Sequence, residues 1–344
     1  MRDVLVGSVM LLSAACGDNE VALSDATSLN CPTPGALPFR LERNGFQRAG
    51  HEQLVADNPR SKAEASDTIG NPGGAVALSY DLDTESPVAM PVEYRGAAAV
   101  TTHTQGLFNK PLAGEPVSLW SFDTATEAWQ SIGRTETDDS GIYDLPDTAF
   151  VAPNGQPTYA VLEGDGNCAE HYTYLLPSDS KVVVSDIDGT LTLNDNEFLL
   201  QVSDDAHVPE MMGAGDRMTQ AWATKGYPII YLTARPHLFR NETRVWLRDL
   251  GFPTGPVITA ADGSDAAAYK TAWLRRMVDD FGWDVVAAYG NASTDIAAYD
   301  NAAIPKDHTF IVGDLAGTMG TVAIENNDYT AHITAFIAAQ PDNN

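Results

Sequence analysis

The sequence predicts an α/β fold, a parallel Rossmann-like sheet, preceded by a small β-sandwich domain. Three observations predict it. After Pro177, continuous apolar runs alternate with helical stretches, and strands buried on both faces lack the polar alternation of half-exposed ones. Each helical stretch stops at a glycine, the residue that most readily takes the left-handed conformation past a helix end. Between about Ala75 and Pro177, short strand candidates recur with turn residues between them. The boundaries read as 1–16 leader, 17–74 spacer, 75–177 β-sandwich and 178–344 α/β domain.

The first segment, "MRDVLVGSVMLLSAACGDNE", has Arg2 before an apolar or small run from Val4 to Ala15. That run is shorter than the roughly 20 residues a membrane span needs, and it fits a secretory leader. With small residues before Cys16 it also resembles a bacterial lipoprotein leader, which makes Cys16 the candidate for lipidation. The alternative is an ordinary leader cleaved near Ala15. The expected location is therefore exported: the bacterial cell envelope as a lipoprotein, or periplasmic or secreted. Export would permit disulfides, and Cys31 with Cys168 is the candidate pair; two free thiols are the alternative.

Residues 17 to about 74 are broken by Pro32, Pro34, Pro38 and Pro59 and close on "NPGG", which reads as a spacer with one short helix. In the next segment "EPVSLWSF" alternates Val117, Leu119 and Ser121 on one face, and "PTYAVLEG" is another strand. Between them "TDDSGIYDLP" sets a polar turn at Asp138 to Gly141, with Asp138 and Asp139 as turn residues. The phrase resembles the small transthyretin-like or immunoglobulin-like modules of secreted proteins.

In the last segment the strands are "KVVV", "YPIIYL", "PVIT", "DVVAAY" and "TFIV". One helix covers about Ala214 to Lys225 before Gly226. A second carries Phe239, Thr243, Trp246 and Leu250 before Gly251, and a third Trp273, Met277 and Phe281 before Gly282. Ligands of such sheets sit at the carboxyl ends of the strands. The first strand ends in Asp186 and Asp188, two apart and so facing one way in extended chain, and Gly189 permits a sharp turn after them. Thr233 and Arg235 end the second strand, Asn291 and, one turn later, Asp295 follow the fourth, and Lys270 lies early in the helix after "PVITA". Carboxylates gathered at one edge repel each other and call for a cation, and an all-oxygen set suits Mg²⁺.

"DIDGT", "YLTAR", Lys270 and "GNASTD" resemble, in order, the four motifs of the haloacid-dehalogenase superfamily of phosphohydrolases. From Lys181 to Gly313 the chain is similar to the lipin-type phosphatidate phosphatases, on "DIDGTLTLND", "YLTARP", "GFPTGPVIT" and "GNASTDIAAYDNAAIP". It lacks the Arg-Pro that lipins usually carry after "GN". The resemblance implies that Asp186 attacks phosphorus to form an aspartyl-phosphate and that Asp188 protonates the leaving oxygen and then activates water. It implies Mg²⁺ held by Asp186, the Asp188 main-chain carbonyl and Asp295, with Asn291 nearby. It gives Thr233 and Lys270 to the phosphoryl group. Arg235 and Arg244 are candidates for substrate contact or for plain ion pairs.

About 45 residues separate Asp188 from Thr233 and read as a helix and loops, too few for a folded cap, which in this superfamily looks like open access for large or membrane-bound phosphoesters. Phosphatidate or another lipid phosphate is the expected substrate, reached by a chain with a lipid anchor. The rival readings are a secreted acid phosphatase on soluble sugar or nucleotide monoesters and a non-catalytic phospholipid-binding module. The chain carries 47 acids against 20 bases, a net charge of −27, which disfavours a nucleic-acid partner and an anionic bilayer at long range. The histidines form no zinc spacing.

Overall fold

The computed structural model describes residues 45–57, 61–70, 76–77, 94–101, 109–123, 126, 128–145, 157–204, 206–260 and 265–343. The leader with Cys16, and Cys31, lie outside them. Cys168 is disulfide-bonded.

Helix α1 spans His51–Asp57 and is the short helix expected in the spacer. Beyond it, residues 61–70 are not spacer but strand, a correction to the expected boundaries. Strand β1 (Ser61–Ala65) pairs antiparallel with β4 (Tyr94–Thr101), and β2 (Thr68–Gly70) pairs with β3 (Val76–Ala77) and lies parallel to β10 (Cys168–Leu175). Hydrophobic periodicity missed these strands because "SKAEASDTIG" buries Glu64, Ser66 and Asp67 against polar partners rather than apolar ones.

Strands β5 (Asn109–Pro111) and β8 (Ile142–Leu145) both pair with β4, making one small sheet with β1. Strands β6 (Pro116–Asp123), β7 (Ala128–Glu136) and β9 (Pro157–Leu162) join β10, β2 and β3 in a second sheet of order β3-β2-β10-β9-β6-β7. Val117 and Leu119 of β6 are buried as the alternation requires, and Ala63, Tyr143, Ala160 and Leu162 pack with them, so strands of both sheets share one apolar cluster.

The α/β part opens with β11 (Lys181–Ser185), followed by α2 (Asn196–Ser203), α3 (Gly215–Thr224), β12 (Ile229–Pro236) and α4 (Arg240–Asp249). Then come β13 (Val257–Ala260), α5 (Ala266–Arg275), β14 (Asp284–Gly290), α6 (Ser293–Asn301), β15 (Thr309–Ile311), β16 (Val322–Ala323) and α7 (Thr330–Ala335). Five strands match the apolar runs; two-residue β16 is too short to leave such a pattern. The stretch between Asp188 and Thr233 holds two short helices where the sequence suggested one. All pairs in this sheet are parallel, in the order β13-β12-β11-β14-β15-β16. Strand order reverses between β11 and β14, the place where open α/β sheets leave a crevice at the strand carboxyl ends.

Alternate residues of the central strands feed two separate cores. Val182, Val184, Ile230 and Ala288 pack under Trp273 of α5 and Tyr299 of α6. Val183, Ile229, Tyr231 and Tyr289 pack under Trp222 of α3 and Trp246 of α4. Burial on both faces is why these strands read as continuous apolar runs. Each fully buried Val, Leu or Ile contributes about 1.5–3 kcal/mol relative to exposure, so the sheet is held firmly enough to place its strand ends.

The outer strand β13 would present unpaired backbone groups. The turn between β1 and β2 covers them: the Asp67 N–H donates to the Val257 carbonyl (3.3 Å), and the Val257 N–H donates to Asp67 Oδ2 (2.8 Å). Ser66 Oγ accepts from the Thr259 N–H (2.9 Å) and donates to the Thr259 carbonyl (2.7 Å).

In the second core the Tyr289 hydroxyl accepts from Trp222 Nε1 (2.7 Å) and lies 2.8 Å from His332 Nε2. With Trp222 donating, the hydroxyl proton points to His332, whose Nε2 must accept as neutral imidazole. The ring lies between Phe310 and Phe336, and burial pulls His332 down to about 4. The unfolded chain takes up this proton near pH 6.5 and the native one only near 4, so stability is complete above about 6.5 and falls as pH drops through that window. The expected loss is about 1–2 kcal/mol after allowance for partial exposure. Melting curves from pH 7 to 4.5 should show a wild-type decline that His332→Gln, which cannot titrate, reduces.

Candidate active site

Asp186 follows β11, with its N–H donating to the Tyr289 carbonyl of neighbouring β14 (3.0 Å). The chain then turns at Gly189, whose φ is 67°. A Cβ there would lie 2.0 Å from Asn291 Nδ2 and 2.6 Å from Asp195 Oδ1, so a larger residue would push apart the loops that flank the crevice. The Gly189 N–H donates to Thr192 Oγ1 (2.9 Å), and the Tyr329 hydroxyl donates to the Thr190 carbonyl (3.0 Å), which fixes the loop from below.

Two polar chains leave this loop. In the first, Lys270 Nζ lies 2.7 Å from Asp186 Oδ1 and 2.6 Å from Asp295 Oδ1. Asp295 Oδ2 accepts from the N–H groups of Asn291 and Ala292, both at 3.0 Å, so it is fixed at the start of α6. In the second, Arg235 Nε and Nη2 grip Asp188, with Nη2 to Oδ1 at 2.7 Å and Nε to Oδ2 at 2.9 Å. Thr233 Oγ1 lies 3.5 Å from Asp188 Oδ2, and Arg235 Nη1 also donates to Gln201 of α2 (3.2 Å) and Thr243 of α4 (3.0 Å). Phe198 of α2 lies against the guanidinium, 4.7 Å from its ring centre.

The expected residues Asp186, Asp188, Thr233, Lys270, Asn291 and Asp295 therefore do meet at one edge. Among the described residues no group of three or more His, Cys, Asp or Glu is placed to hold a metal ion, and the expected set, Asp186, the Asp188 main-chain carbonyl and Asp295 with Asn291 nearby, contains only two carboxylates. Asp188 is gripped by Arg235, and Asp295 is held by Lys270 and two amides, so two of the three acids already have cations. Asp186 is the odd one. Burial pushes its carboxyl up to about 7; Lys270 pulls it down, and the Asp295 and Asp188 charges add to the rise. Burial works against the Lys270 charge, but Asp186 and Asp295 outweigh it and hold that ammonium above the ordinary lysine value.

Oxygen donors do converge beside Asp186. Asn291 Nδ2 donates to Asp195 Oδ1 (3.0 Å), which turns its Oδ1 inward, where it and Asp186 Oδ2 each lie 3.4 Å from the Thr190 hydroxyl. A carboxylate and an amide oxygen with one uncompensated negative charge fit a hard cation that keeps several waters, as Mg²⁺ does. Asp295 faces Lys270 and two main-chain amides, and both oxygens of the Asp188 side chain face Arg235.

Sequence reasoning missed Asp195, Thr190, Gln201 and the grip of Arg235 on Asp188. "TLTLND" spans two of them, but nothing in its spacing says that Asp195 reaches Asn291, 96 positions on. Arg244 lies elsewhere: it pairs with Asp67 and stacks on Tyr172 at 4.9 Å, away from the edge where Asp186 and Asp188 stand.

Residues 183–313 match the family model described as PITM 1-3, LNS2 domain, well under half of the chain. Residues in that range are similar to LNS2 domains. Among curated proteins, the chain is 29% identical over 242 residues to Protein retinal degeneration B of Drosophila melanogaster, covering 70% of this chain and 18% of that protein. It is 28% identical over 234 residues to Membrane-associated phosphatidylinositol transfer protein 3 of Mus musculus, covering 66% of this chain and 23% of that protein. It is 27% identical over 285 residues to the human Membrane-associated phosphatidylinositol transfer protein 1, covering 82% and 21%. The chain thus spans about a fifth of the length of these relatives. A solved D,D-heptose 1.7-bisphosphate phosphatase from B. bronchiseptica aligns with a TM-score of 0.34 and 15% identity over 46% of this chain and 99% of that one, too slight a likeness to build on.

Proposed function

We propose that the chain is a phosphomonoester hydrolase that works through an aspartyl-phosphate on Asp186, with a lipid phosphate such as phosphatidate as substrate. The observation that carries this is the state of Asp186: one oxygen beside Lys270, the other 3.4 Å from the Thr190 hydroxyl, at the strand-order reversal, in a site with three acids and two cations among the described residues. Asp186 attacks phosphorus as the ester bond breaks toward the leaving oxygen, and Lys270 offsets the charge of carboxylate and phosphoryl group. Thr233 donates to a phosphoryl oxygen. Asp188, oriented by Arg235, gives the leaving oxygen its proton and later accepts one from water, which restores Asp186 and frees phosphate. Asp186 and Asn291, with the Asp188 main-chain carbonyl, would hold Mg²⁺, which when bound supplies positive charge between two anions. Export with Cys16 acylated belongs to the same proposal.

A second reading has specific support: a non-catalytic phospholipid-binding module. Both oxygens of Asp188 are taken by Arg235, and the matched relatives are named for phosphatidylinositol transfer. The deciding measurement is phosphate release, with and without Mg²⁺, from phosphatidate in mixed micelles and from soluble monoesters, beside vesicle sedimentation. Release from phosphatidate is expected. Release only from soluble esters would remove the lipid substrate; sedimentation with phosphatidate vesicles but no release from anything would favour the binding module.

A further inference from the structure

A cavity of about 370 Å³ lies between β10 and the α/β part, away from the catalytic edge. Its wall includes residues 252–255, which lead into the amino end of β13, and Val257, the first residue of that strand. Asp186 and Asp188 follow the carboxyl end of β11, and none of the catalytic-edge residues lines this cavity.

Two arginines line it from one helix. Arg244 and Arg248 are four apart on α4 and so share a face. A guanidinium carries five donors. Arg244 gives Nη2 to Asp67 and a contact to Tyr174, while its Nε is buried without a partner. A buried donor left unpaired is costly and asks for an explanation. Arg248 gives Nε to its neighbour Asp249 (2.7 Å), and its two terminal nitrogens have no partner among the described residues. The acids these arginines pair with, Asp67 and Asp249, do not line the cavity, so in a chain with 20 basic residues against 47 acidic ones its wall presents two guanidinium groups. Glu170 is the one acid among the described residues of the wall, and it accepts from the Tyr172 hydroxyl at 2.7 Å. Beside Thr254 the wall carries apolar surface: the Tyr231 hydroxyl donates to the Pro253 carbonyl (2.8 Å), and Tyr231 lines the cavity together with Leu247 and Phe252.

We propose that this cavity is a second ligand site, separate from the catalytic edge, in which Arg244 and Arg248 hold the phosphate or carboxylate of a ligand whose body packs on Tyr172, Tyr231 and Phe252. Planar forks recognise such anions with two parallel donors, and a cavity of this size takes a small organic molecule or the head of a lipid.

The test is calorimetric titration of the full chain with phenylphosphonate, which offers an anion on an aromatic ring, in EDTA. Saturable binding is expected for wild type and for Asp186→Asn alike. Arg248→Glu, at an exposed position, should weaken it at least tenfold while phosphate release from a soluble ester stays at the wild-type rate. Arg244→Lys, which keeps a charge for Asp67 but loses the fork, should also weaken it; if that variant fails to fold, Arg248→Glu decides alone. No binding to wild type, or equal binding to wild type and Arg248→Glu, would overturn the proposal, as would loss of binding in Asp186→Asn. Phosphatidylcholine vesicles with and without phosphatidate identify the source. If Arg248→Glu lowers sedimentation on phosphatidate, the anion is a lipid headgroup. If it leaves sedimentation unchanged while phenylphosphonate binding falls, the ligand is soluble.

Discussion

Asparagine at position 186 should lower phosphate release by about 10⁴-fold or more, the scale on which loss of a nucleophile acts when the rest of the site is intact. The amide has the shape of the carboxylate but cannot attack phosphorus. Its effect on the fold should run the other way. Three acids and two cations form the edge, and Asp186 is the buried acid left over. A raised carboxyl, here about 7 against 3.8 in the open chain, means the native state resists ionising, so its contribution to stability falls as pH rises through that interval. Asp186→Asn should therefore melt higher than wild type at neutral pH in metal-free buffer. A variant that keeps its turnover would remove Asp186 as nucleophile. One that loses turnover and also melts well below wild type would point to a structural role for Asp186.

The second large effect is on stability and involves no catalytic residue. Asp67→Ala should destabilise the protein by about 3–5 kcal/mol, the cost of leaving a buried charge without its partner. Asp67 is fully buried and accepts from the Tyr172 N–H (3.0 Å), the Val257 N–H (2.8 Å), Arg240 (3.4 Å) and Arg244. It thus ties β10, β13 and α4 together, and Arg240 is itself fully buried. Removing it strands a guanidinium and reopens the edge of β13. Urea unfolding should show the loss, with Asp342→Ala as a control: its pair with Lys225 at 3.5 Å is exposed on the acid's side, and such pairs are worth about 0–1 kcal/mol. Equal midpoints for Asp67→Ala and wild type would show that the 61–70 segment is not what fastens this face.

Much of the α/β part was legible because its signals are local. Val182 to Val184, Ile229 to Leu232 and Val285 to Tyr289 are apolar in unbroken runs because helices cover both faces of the sheet. Gly226, Gly251 and Gly282 take positive φ at the helix ends that the sequence predicts. The 61–70 segment was illegible for the opposite reason. Its residues are held by polar atoms about 100 to 190 positions away, as in Ser61 to Asp165, Glu64 to Asn241 and Ser66 to Thr259, and no window of sequence contains both partners.

The chain alone names the candidate residues and puts them at strand ends or early in the helices that follow: Asp186, Asp188, Thr233, Lys270, Asn291 and Asp295 all stand at one edge. What each is bonded to was settled only by folding. Arg235, expected as a substrate contact or an ion pair, grips Asp188; Arg244 turns to Asp67; and Asp195 sets the direction of Asn291. The difference is one of reach. Strand and helix patterns follow from neighbours in the chain, whereas the partner of a buried charge is chosen by whichever opposite charge the folded backbone brings within about 3–4 Å, where attraction in a poorly solvated site outweighs the loss of water.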